Sequence, residues 1–252
     1  MTQPTPQTRA VRAGVNTDPV HGAVVPPIHL SSTYSFESFG TPREFDYSRS
    51  GNPTRSMLAQ ALAELEGGFG AVVTASGMAA VTTCLHALLP AGGRLVAPYD
   101  CYGGSWRLFD ALARRGSFEL ELVELEDPDK AAAAIAGGVD LLWLETPSNP
   151  LLRISDIRTL AQAAHAAGAV VVADNTFASP VVQRPLALGA DVVVHSTTKY
   201  INGHSDVVGG AIVAASEAHH RELAWWANCL GATGGAFDSY LTLRGLRTLH
   251  LR

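Results

Sequence analysis

The sequence contains few cysteines and no cluster of basic residues, and both features exclude classes of protein. Cys84, Cys101 and Cys229 are the three cysteines, and they lie far apart without the CxxC or Cys/His spacing of zinc sites. Such scattered cysteines are typical of a reducing cytosol. The formal net charge is −5, and no run of Lys and Arg occurs. This argues against nucleic acid or an anionic membrane as the main partner.

Long apolar runs are also absent from the sequence. The N-terminus is polar and carries Pro4 and Pro6, without the apolar segment of a secretory signal. No uninterrupted apolar run is long enough to span a bilayer. We therefore expect a soluble cytoplasmic protein. With 252 residues, 47% of them hydrophobic, the chain can form one large domain with a substantial core.

Short apolar segments alternate with segments of helical periodicity from residue 70 onward. Strands are predicted over 71–74, 94–98, 119–125, 140–145, 169–174, 191–195 and 210–214. Helices are predicted over 54–67, 78–89, 104–114, 155–167 (with Ser155 as N-cap) and 241–252. This alternation favours an α/β fold in which helices cover a mostly parallel sheet.

Residues 1–57 show little regular patterning. An irregular segment of this length is uncommon within a compact domain and indicates a functional or subunit-contacting role. The sequence thus predicts an N-terminal arm over residues 1–57 and a large α/β domain over residues 58–252. We found no internal repeat and no low-complexity tract.

Polar residues follow five of the predicted strands. In parallel sheets, ligands bind beyond the carboxyl ends of the strands, so we expect these residues to meet at one edge. Lys199 directly follows the apolar strand 191–195, where burial would favour the neutral amine that condenses with an aldehyde. The five segments are Ser76-Gly77-Met78, Asp100–Gly104, Glu145–Pro150, Asp174-Asn175-Thr176 and Ser196–Lys199.

Each of these residues also has a structural interpretation. Ser76 is either a helix cap or the start of an anion site at a helix N-terminus. Asp174 is either half of a structural ion pair or the partner of a protonated pyridine nitrogen. Tyr102 either packs in the core or stacks on a flat ring.

Other candidates remain similarly open at this stage. Arg49, with Tyr47, either binds a phosphate or is solvated in a loop. Asn149 is a turn residue or a ligand-binding residue. His195 is a base or, more simply, a packed strand residue. His204 and Asp206 have no third ligand at suitable spacing, so we predict no metal site.

Taken together, the motifs resemble the Cys/Met-metabolism family of pyridoxal-phosphate enzymes, and within it the bacterial cystathionine γ-synthase branch. The resemblance runs from about residue 8 to the last residue. The motifs are Tyr47-Ser-Arg49-x-x-Asn-Pro-Thr, Ser76-Gly-Met-Ala-Ala, Asp100-x-Tyr-Gly-Gly, Pro147-Ser-Asn-Pro150, Asp174-Asn-Thr and Ser196-x-Thr-Lys199-Tyr. Three further segments resemble the γ-synthase branch in particular: residues 21–34, Ala224-Trp-Trp-Ala227 and residues 233–240.

This resemblance implies a fold-type I pyridoxal-phosphate-dependent transferase that forms a homotetramer of two tight dimers. Lys199 would hold the cofactor and then move protons, Asp174 would pair with the pyridine nitrogen, and Tyr102 would stack on the ring. Asn149 would lie near the ring hydroxyl or the substrate. Ser76, Gly77, Met78, Ser196 and Thr198 would surround the phosphate, completed by Tyr47 and Arg49 of the neighbouring subunit.

The implied reaction is a γ-replacement between O-succinyl-L-homoserine and L-cysteine, giving L-cystathionine and succinate. Sister activities on the same scaffold are the alternatives: cystathionine γ-lyase, β-lyase or O-acylhomoserine sulfhydrylase. A further alternative is a non-catalytic assembly subunit.

The sequence departs from the family pattern in two respects. The family continues beyond residue 252 into a smaller domain that supplies an arginine for the substrate α-carboxylate, so we expect a shortened chain with weak or no turnover. Ser50 stands where some γ-synthases have a second arginine, which leaves succinyl versus acetyl selection open.

Overall fold

The computed structural model describes residues 4–252. Its helices are α1 (Pro6–Arg12), α2 (Pro53–Glu66), α3 (Gly77–Leu88), α4 (Gly103–Arg114), α5 (Pro128–Ala136), α6 (Ile157–Ala166), α7 (Ser179–Val182), α8 (Glu217–Leu230) and α9 (Ala236–Leu246). Its strands are β1 (Gly70–Thr74), β2 (Arg94–Pro98), β3 (Glu119–Val123), β4 (Leu141–Glu145), β5 (Val170–Asp174), β6 (Val192–His195) and β7 (Gly210–Ala214). Two 3₁₀ turns cover Pro185–Leu188 and Leu249–Leu251.

The strands form one seven-stranded sheet in the order β1-β7-β6-β5-β4-β2-β3. Strand β7 is antiparallel to both of its neighbours, and the other pairings are parallel. The register aligns Glu145 with Asp174 and Asp174 with Val194. Strands β1, β2, β4, β5 and β6 therefore end at the same edge, as the sequence predicts for a mostly parallel sheet.

Helices cover both faces of the sheet, and side chains alternate between the faces along each strand. On β6, Val192 and Val194 pack with α3, α4 and α8 on the face that we call the α3 face. Val193 packs on the opposite face with α2 and α9, here called the α2 face. Helices α5 and α6 cover the rest of that side against β4 and β5. This double coverage explains the continuous apolar runs of the central strands.

Helix boundaries follow local capping chemistry. The side chain of Asn52 accepts the backbone N–H groups of Thr54 and Arg55, and Pro53 occupies the first position of α2. Helix α6 is capped by Asp156, whose side chain accepts the N–H groups of Arg158 and Thr159. The expected Ser155 cap is therefore wrong by one residue.

Two predictions about the ends of the chain need correction. Within residues 4–57, the N-terminal arm contains the short helix α1, whose Ala10 is buried in the core, and the start of α2, while residues 13–52 contain no helix or strand. The expected helix over 241–252 is instead α9, which begins at Ala236 and ends at Leu246. The arm boundary between residues 57 and 58 falls inside α2, and the functional division there stays a prediction. No helix within residues 4–252 is long and apolar enough to cross a membrane.

Candidate active site

A cavity of ≈ 1150 Å³ opens at the carboxyl edge of the sheet. The predicted residues that line it are Ser76, Gly77, Met78, Tyr102, Asn149, Asp174, Ser196, Thr198 and Lys199. They come from the junctions after β1, β2, β4, β5 and β6, which are far apart in sequence. The structure therefore brings together the junctions that the sequence predicts to converge, while the role of each residue remains a proposal.

The start of α3 forms one wall of this cavity. Ser76 caps the helix, because its Oγ accepts the backbone N–H of Ala79 at 3.0 Å. Gly77 lies against the turn after β6, where a Cβ atom would stand 2.8 Å from the Cβ of Ser196. Because Gly77 has no side chain, the N-terminus of α3 can pack directly against Ser196. Free N–H groups and the helix dipole favour an anion there.

The turn after β6 is held in place by several hydrogen bonds. The N–H of Ser196 donates to Thr176 Oγ1 at 2.8 Å. Thr198 Oγ1 donates to the carbonyl of Gly209 at 3.2 Å and accepts the Gly209 N–H at 3.0 Å. These bonds fix the backbone from which Ser196, Thr198 and Lys199 project.

Asp174 ends β5 at the floor of the cavity, where its side chain is half-buried. Its Oδ1 accepts the N–H of Thr176 at 3.0 Å. Burial raises the pKa of this carboxyl group, although the hydrogen bonds from Thr176 oppose that shift. No basic side chain within residues 4–252 forms a salt bridge with it. A cationic ligand atom beside Asp174 would stabilise its charged form and offset the effect of burial.

Glu145, at the end of β4 and beside Asp174 of β5, also lines the cavity. The sequence predicts the segment Glu145–Pro150 at this edge but gives Glu145 no individual role. It is buried, with 6% of its surface exposed. Burial, followed by the charge of Asp174, raises the pKa of Glu145 to about 8. Its position at the end of a fully buried strand, aligned with Asp174, is the signal that could have identified it.

Tyr102 directly precedes α4, lines the cavity and is 43% exposed. The ring lies so close to Gly104 that a Cβ there would stand 2.4 Å from Tyr102 Cε1. Gly104 thus makes room for the Tyr102 ring. An exposed aromatic face at a cavity wall is suited to stacking on a planar ligand.

Lys199 lines the cavity, but its side chain is exposed. The expectation that burial desolvates this lysine is therefore wrong for the chain, because the residue lies beyond the buried strand in a turn that faces the open cavity. Its accessibility keeps the amine available to a ligand entering the cavity.

Tyr47 and Arg49 do not line this cavity. Arg49 Nη1 donates to the backbone and side-chain oxygens of Asn228, each at 2.7 Å. The guanidinium carbon also lies 5.3 Å from the centre of the Tyr47 ring. Both residues are exposed on the arm. Their predicted contribution to a neighbouring subunit is compatible with this placement and remains a proposal.

His195 is fully buried on the α2 face and not in the cavity, which favours the packed strand residue over the base. The ring of His204 contacts the carbonyl of Asn202, and Asp206 accepts from the side chain of Asn202. No group of three potential metal-ligating side chains occurs in the part of the chain that the structure describes.

Comparison with known proteins identifies this arrangement. Residues 7–252 match the model of the Cys/Met metabolism PLP-dependent enzyme family. The chain belongs to this family. Its fold-type I assignment and its pyridoxal-phosphate cofactor follow from that membership.

Several relatives carry the same name. Cystathionine γ-synthase of Escherichia coli is 58% identical over 242 residues, covering 96% of this chain and 63% of the relative. A solved cystathionine γ-synthase from Xanthomonas oryzae pv. oryzae, in complex with aminoacrylate and cysteine, has a TM-score of 0.98 at 58% identity. That match covers 100% of this chain and 65% of the solved one. This chain thus spans less than two thirds of both.

Lyases also occur among the matches. A cystathionine β-lyase of Coxiella burnetii is 44% identical over 247 residues, covering 97% of this chain and 64% of the relative. Similarity over this region therefore does not by itself separate synthase from lyase.

The cavity fits pyridoxal phosphate by several observations. A half-buried carboxylate, for which residues 4–252 provide no salt-bridge partner, faces the cavity at Asp174. A helix N-terminus lies at Gly77, and an accessible amine lies at Lys199. Ser105 Oγ lines the same cavity and is buried with no hydrogen-bond partner among the described residues. These groups match a cationic ring nitrogen, a phosphate and an aldehyde in one ligand.

Proposed function

We propose that this chain catalyses the γ-replacement that joins O-succinyl-L-homoserine and L-cysteine into L-cystathionine and succinate. The observation that carries the proposal is the convergence of Lys199, Asp174 and Tyr102 on one cavity with the start of α3. Similarity to the cystathionine γ-synthases of Escherichia coli and Xanthomonas oryzae supports this choice within the family.

In this proposal the cavity residues first bind and orient the cofactor. The helix N-terminus at Gly77, with Ser76, Met78, Ser196 and Thr198, holds the phosphate. Asp174 holds the ring nitrogen, and Tyr102 covers the ring face. Pyridoxal phosphate, when bound, withdraws electrons from the carbon atoms next to the substrate amino group.

Lys199 Nζ is then the group that moves protons. It would hold the cofactor covalently until the substrate amine takes its place. Its amine would then accept the α-proton and afterwards a Cβ proton of the acylhomoserine, and would return a proton to each carbon at the end. The acyl group would leave Cγ as a carboxylate, and the thiolate of cysteine would form the new bond to Cγ. Asn149, at the cavity wall, is a candidate contact for the substrate.

The test is a product assay with matched substrates. The chain is incubated with cysteine and either O-succinyl- or O-acetyl-L-homoserine, and products are quantified by mass spectrometry. We expect cystathionine and succinate in equal amounts, even at low turnover, and neither product from Lys199→Ala. Cofactor binding without any product above that control would contradict the proposal and favour the non-catalytic assembly subunit.

The same assay distinguishes the sister activities. Breakdown of added cystathionine to cysteine and 2-oxobutyrate would identify a γ-lyase, and breakdown to homocysteine and pyruvate would identify a β-lyase. Formation of homocysteine from sulfide and acylhomoserine would identify a sulfhydrylase. Any of these at a higher rate than cystathionine synthesis would replace the proposed reaction.

We further propose that the working assembly is a homotetramer of two tight dimers and that it acts in the cytoplasm. Tyr47 and Arg49 are exposed and lie outside the cavity of their own chain, which supports a role for them in the phosphate site of a neighbour. Sedimentation of the purified chain tests the assembly, and a monomer at working concentration would contradict it.

A further inference from the structure

The ends of β5 and β6 present different residues to the two faces of the sheet. Asp174 and Ser196 line the cavity on the α3 face. Their immediate neighbours Asn175 and His195 point to the opposite face and are both fully buried. Alternation along the strand ends therefore pairs each of these two cavity residues with a buried polar residue behind it.

One carboxylate joins these two hidden side chains. Glu66, the last residue of α2, is buried with 1% of its surface exposed. Its Oε1 accepts the Nδ2–H of Asn175 at 2.9 Å and lies 2.6 Å from Nε2 of His195. We call Glu66, Asn175 and His195 the rear triad.

Gln183 extends the contacts of Asn175. Asn175 Nδ2 also donates to the carbonyl of Gln183 at 2.8 Å, and Gln183 Nε2 donates back to Asn175 Oδ1 at 3.1 Å. The side chain of Asn175 therefore has partners on both its amide atoms. Its rotamer, and with it the backbone next to Asp174, is fixed.

On the cavity side, a second set of bonds spans the same two strand ends. Thr176 N–H donates to Asp174 Oδ1, and Thr176 Oγ1 accepts the N–H of Ser196. The N–H of Asn175 also donates to the carbonyl of Val194 at 3.0 Å. The two strand ends are thus bonded to each other at the front, through the backbone and at the rear.

Burying the polar side chains of the rear triad costs folding free energy, which a purely structural role does not explain. Within the part of the chain that the structure describes, Glu66 Oε2 and His195 Nδ1 are buried and have no hydrogen-bond partner. Unsatisfied polar atoms in a protein interior destabilise the fold, and apolar residues of similar shape often do as well or better. A requirement for precise placement of the strand ends accounts for keeping polar groups here.

We propose that Glu66, Asn175 and His195 are positioning residues that set the separation of Asp174 from Ser196. That separation must match the span between the ring nitrogen and the phosphate of pyridoxal phosphate. The proposal rests on the cofactor-binding roles of Asp174 and Ser196 in the proposed function. It assigns the triad no contact with cofactor or substrate.

The test measures binding of pyridoxamine phosphate, which has an amine in place of the aldehyde and so forms no bond with Lys199. Its dissociation constant therefore reports the non-covalent contacts alone. Glu66→Gln keeps an acceptor for both partners, whereas Glu66→Leu removes it. We expect Glu66→Leu to weaken binding about tenfold, the scale of a lost buried hydrogen bond, and Glu66→Gln to change it by less than about threefold.

A second histidine–carboxylate pair provides the matched control. His165 Nε2 lies 2.9 Å from Asp191 Oδ2, next to the opposite end of β6 and away from the cavity. We expect His165→Leu to leave pyridoxamine phosphate binding unchanged, whatever its effect on thermal unfolding. If Glu66→Leu fails to fold, Asn175→Ala removes only one arm of the triad and is expected to weaken binding in the same direction.

The outcomes separate this proposal from the proposed function. If the wild-type chain binds pyridoxamine phosphate and the triad variants lose thermal stability but bind it equally well, the triad is structural and this proposal fails alone. A Glu66→Gln variant that binds as poorly as Glu66→Leu would also overturn positioning by hydrogen bonds. A wild-type chain that binds no pyridoxamine phosphate would overturn both.

Discussion

Glu145, at the end of β4, forms a hydrogen bond with the backbone of Tyr102, which follows the neighbouring strand β2. Its Oε2 accepts the N–H of Tyr102 at 2.8 Å, and its Oε1 accepts the N–H of Asn149 at 3.0 Å. One buried carboxylate therefore anchors two loops that line the cavity. Desolvation and the nearby charge of Asp174 outweigh these bonds and raise the pKa of Glu145 to about 8.

The raised pKa of Glu145 predicts a specific pH dependence of stability. The folded chain holds this proton up to about pH 8, whereas the unfolded chain releases it near pH 4.5. The folded state binds more protons between these values, so Glu145 lowers the free energy of unfolding as pH rises through that window. The loss amounts to a few kcal/mol across it.

Glu145→Gln removes this titration while keeping an acceptor for one N–H group. Chemical denaturation at pH 5 and pH 8 should show a smaller fall in stability for the variant than for the wild-type chain. Equal falls in the two proteins would show that Glu145 does not titrate in this range.

Asp174→Asn is expected to separate cofactor affinity from stability. The variant keeps the oxygen that accepts the Thr176 N–H but loses the carboxyl group. Burial raises the pKa of that carboxyl group and so disfavours its charged form in the empty site. At pH 8 we expect equal or greater thermal stability without cofactor. The affinity for pyridoxal phosphate should fall about tenfold to a hundredfold, since a hydrogen bond to a charged group is lost. Unchanged affinity would remove Asp174 from the cofactor site.

Gly77→Ala should disrupt the phosphate end of the site. The added Cβ would stand 2.8 Å from Ser196 Cβ and 3.1 Å from Ser196 Cα, so the backbone must move. We expect a loss of about 1–3 kcal/mol in stability and weaker pyridoxal-phosphate binding.

Gly103→Ala is the matched control, because the added Cβ would stand 3.7 Å from Arg107 Nη1, an ordinary contact. Gly103 opens α4, where alanine favours the helix. Its variant should bind pyridoxal phosphate like the wild-type chain. Normal binding by Gly77→Ala would contradict the tight approach of α3 to Ser196.

Arg49 is expected to act in the site of a neighbouring subunit. Arg49→Ala and Lys199→Ala should each lack cystathionine synthesis, yet a mixed dimer would contain one site with both residues intact. Random assembly of equal amounts should then restore about a quarter of wild-type activity, because half of the dimers are mixed and each has one working site. Measuring activity after co-refolding the two variants tests this. No recovery would place Arg49 and Lys199 in the site of the same chain.

The sheet and most of the cavity were predictable because local patterns determine them. Buried strands such as 192–195 show as apolar runs, and polar residues directly after them must meet at the carboxyl edge. The sequence reasoning missed features that depend on three-dimensional packing. The start of α9 at Ala236, the contact of α1 with the core and the pairing of Glu66 with His195 join segments distant in sequence.

The exposure of Lys199 also depends on three-dimensional packing that its sequence neighbours do not reveal. Its neighbours in sequence indicate burial, yet the turn after β6 faces a wide cavity and leaves the side chain exposed. Accessibility at a sheet edge is set by how far the adjacent loops close over it. That closure involves residues 200–208, which belong to no strand of the sheet.

The visible absorption spectrum of the chain with pyridoxal phosphate tests the central claim most directly. We predict a band that borohydride abolishes, leaving the cofactor attached to a peptide containing Lys199, and no such attachment in Lys199→Ala. A spectrum identical to that of free pyridoxal phosphate, or attachment at another lysine, would contradict the assignment of this cavity as the cofactor site.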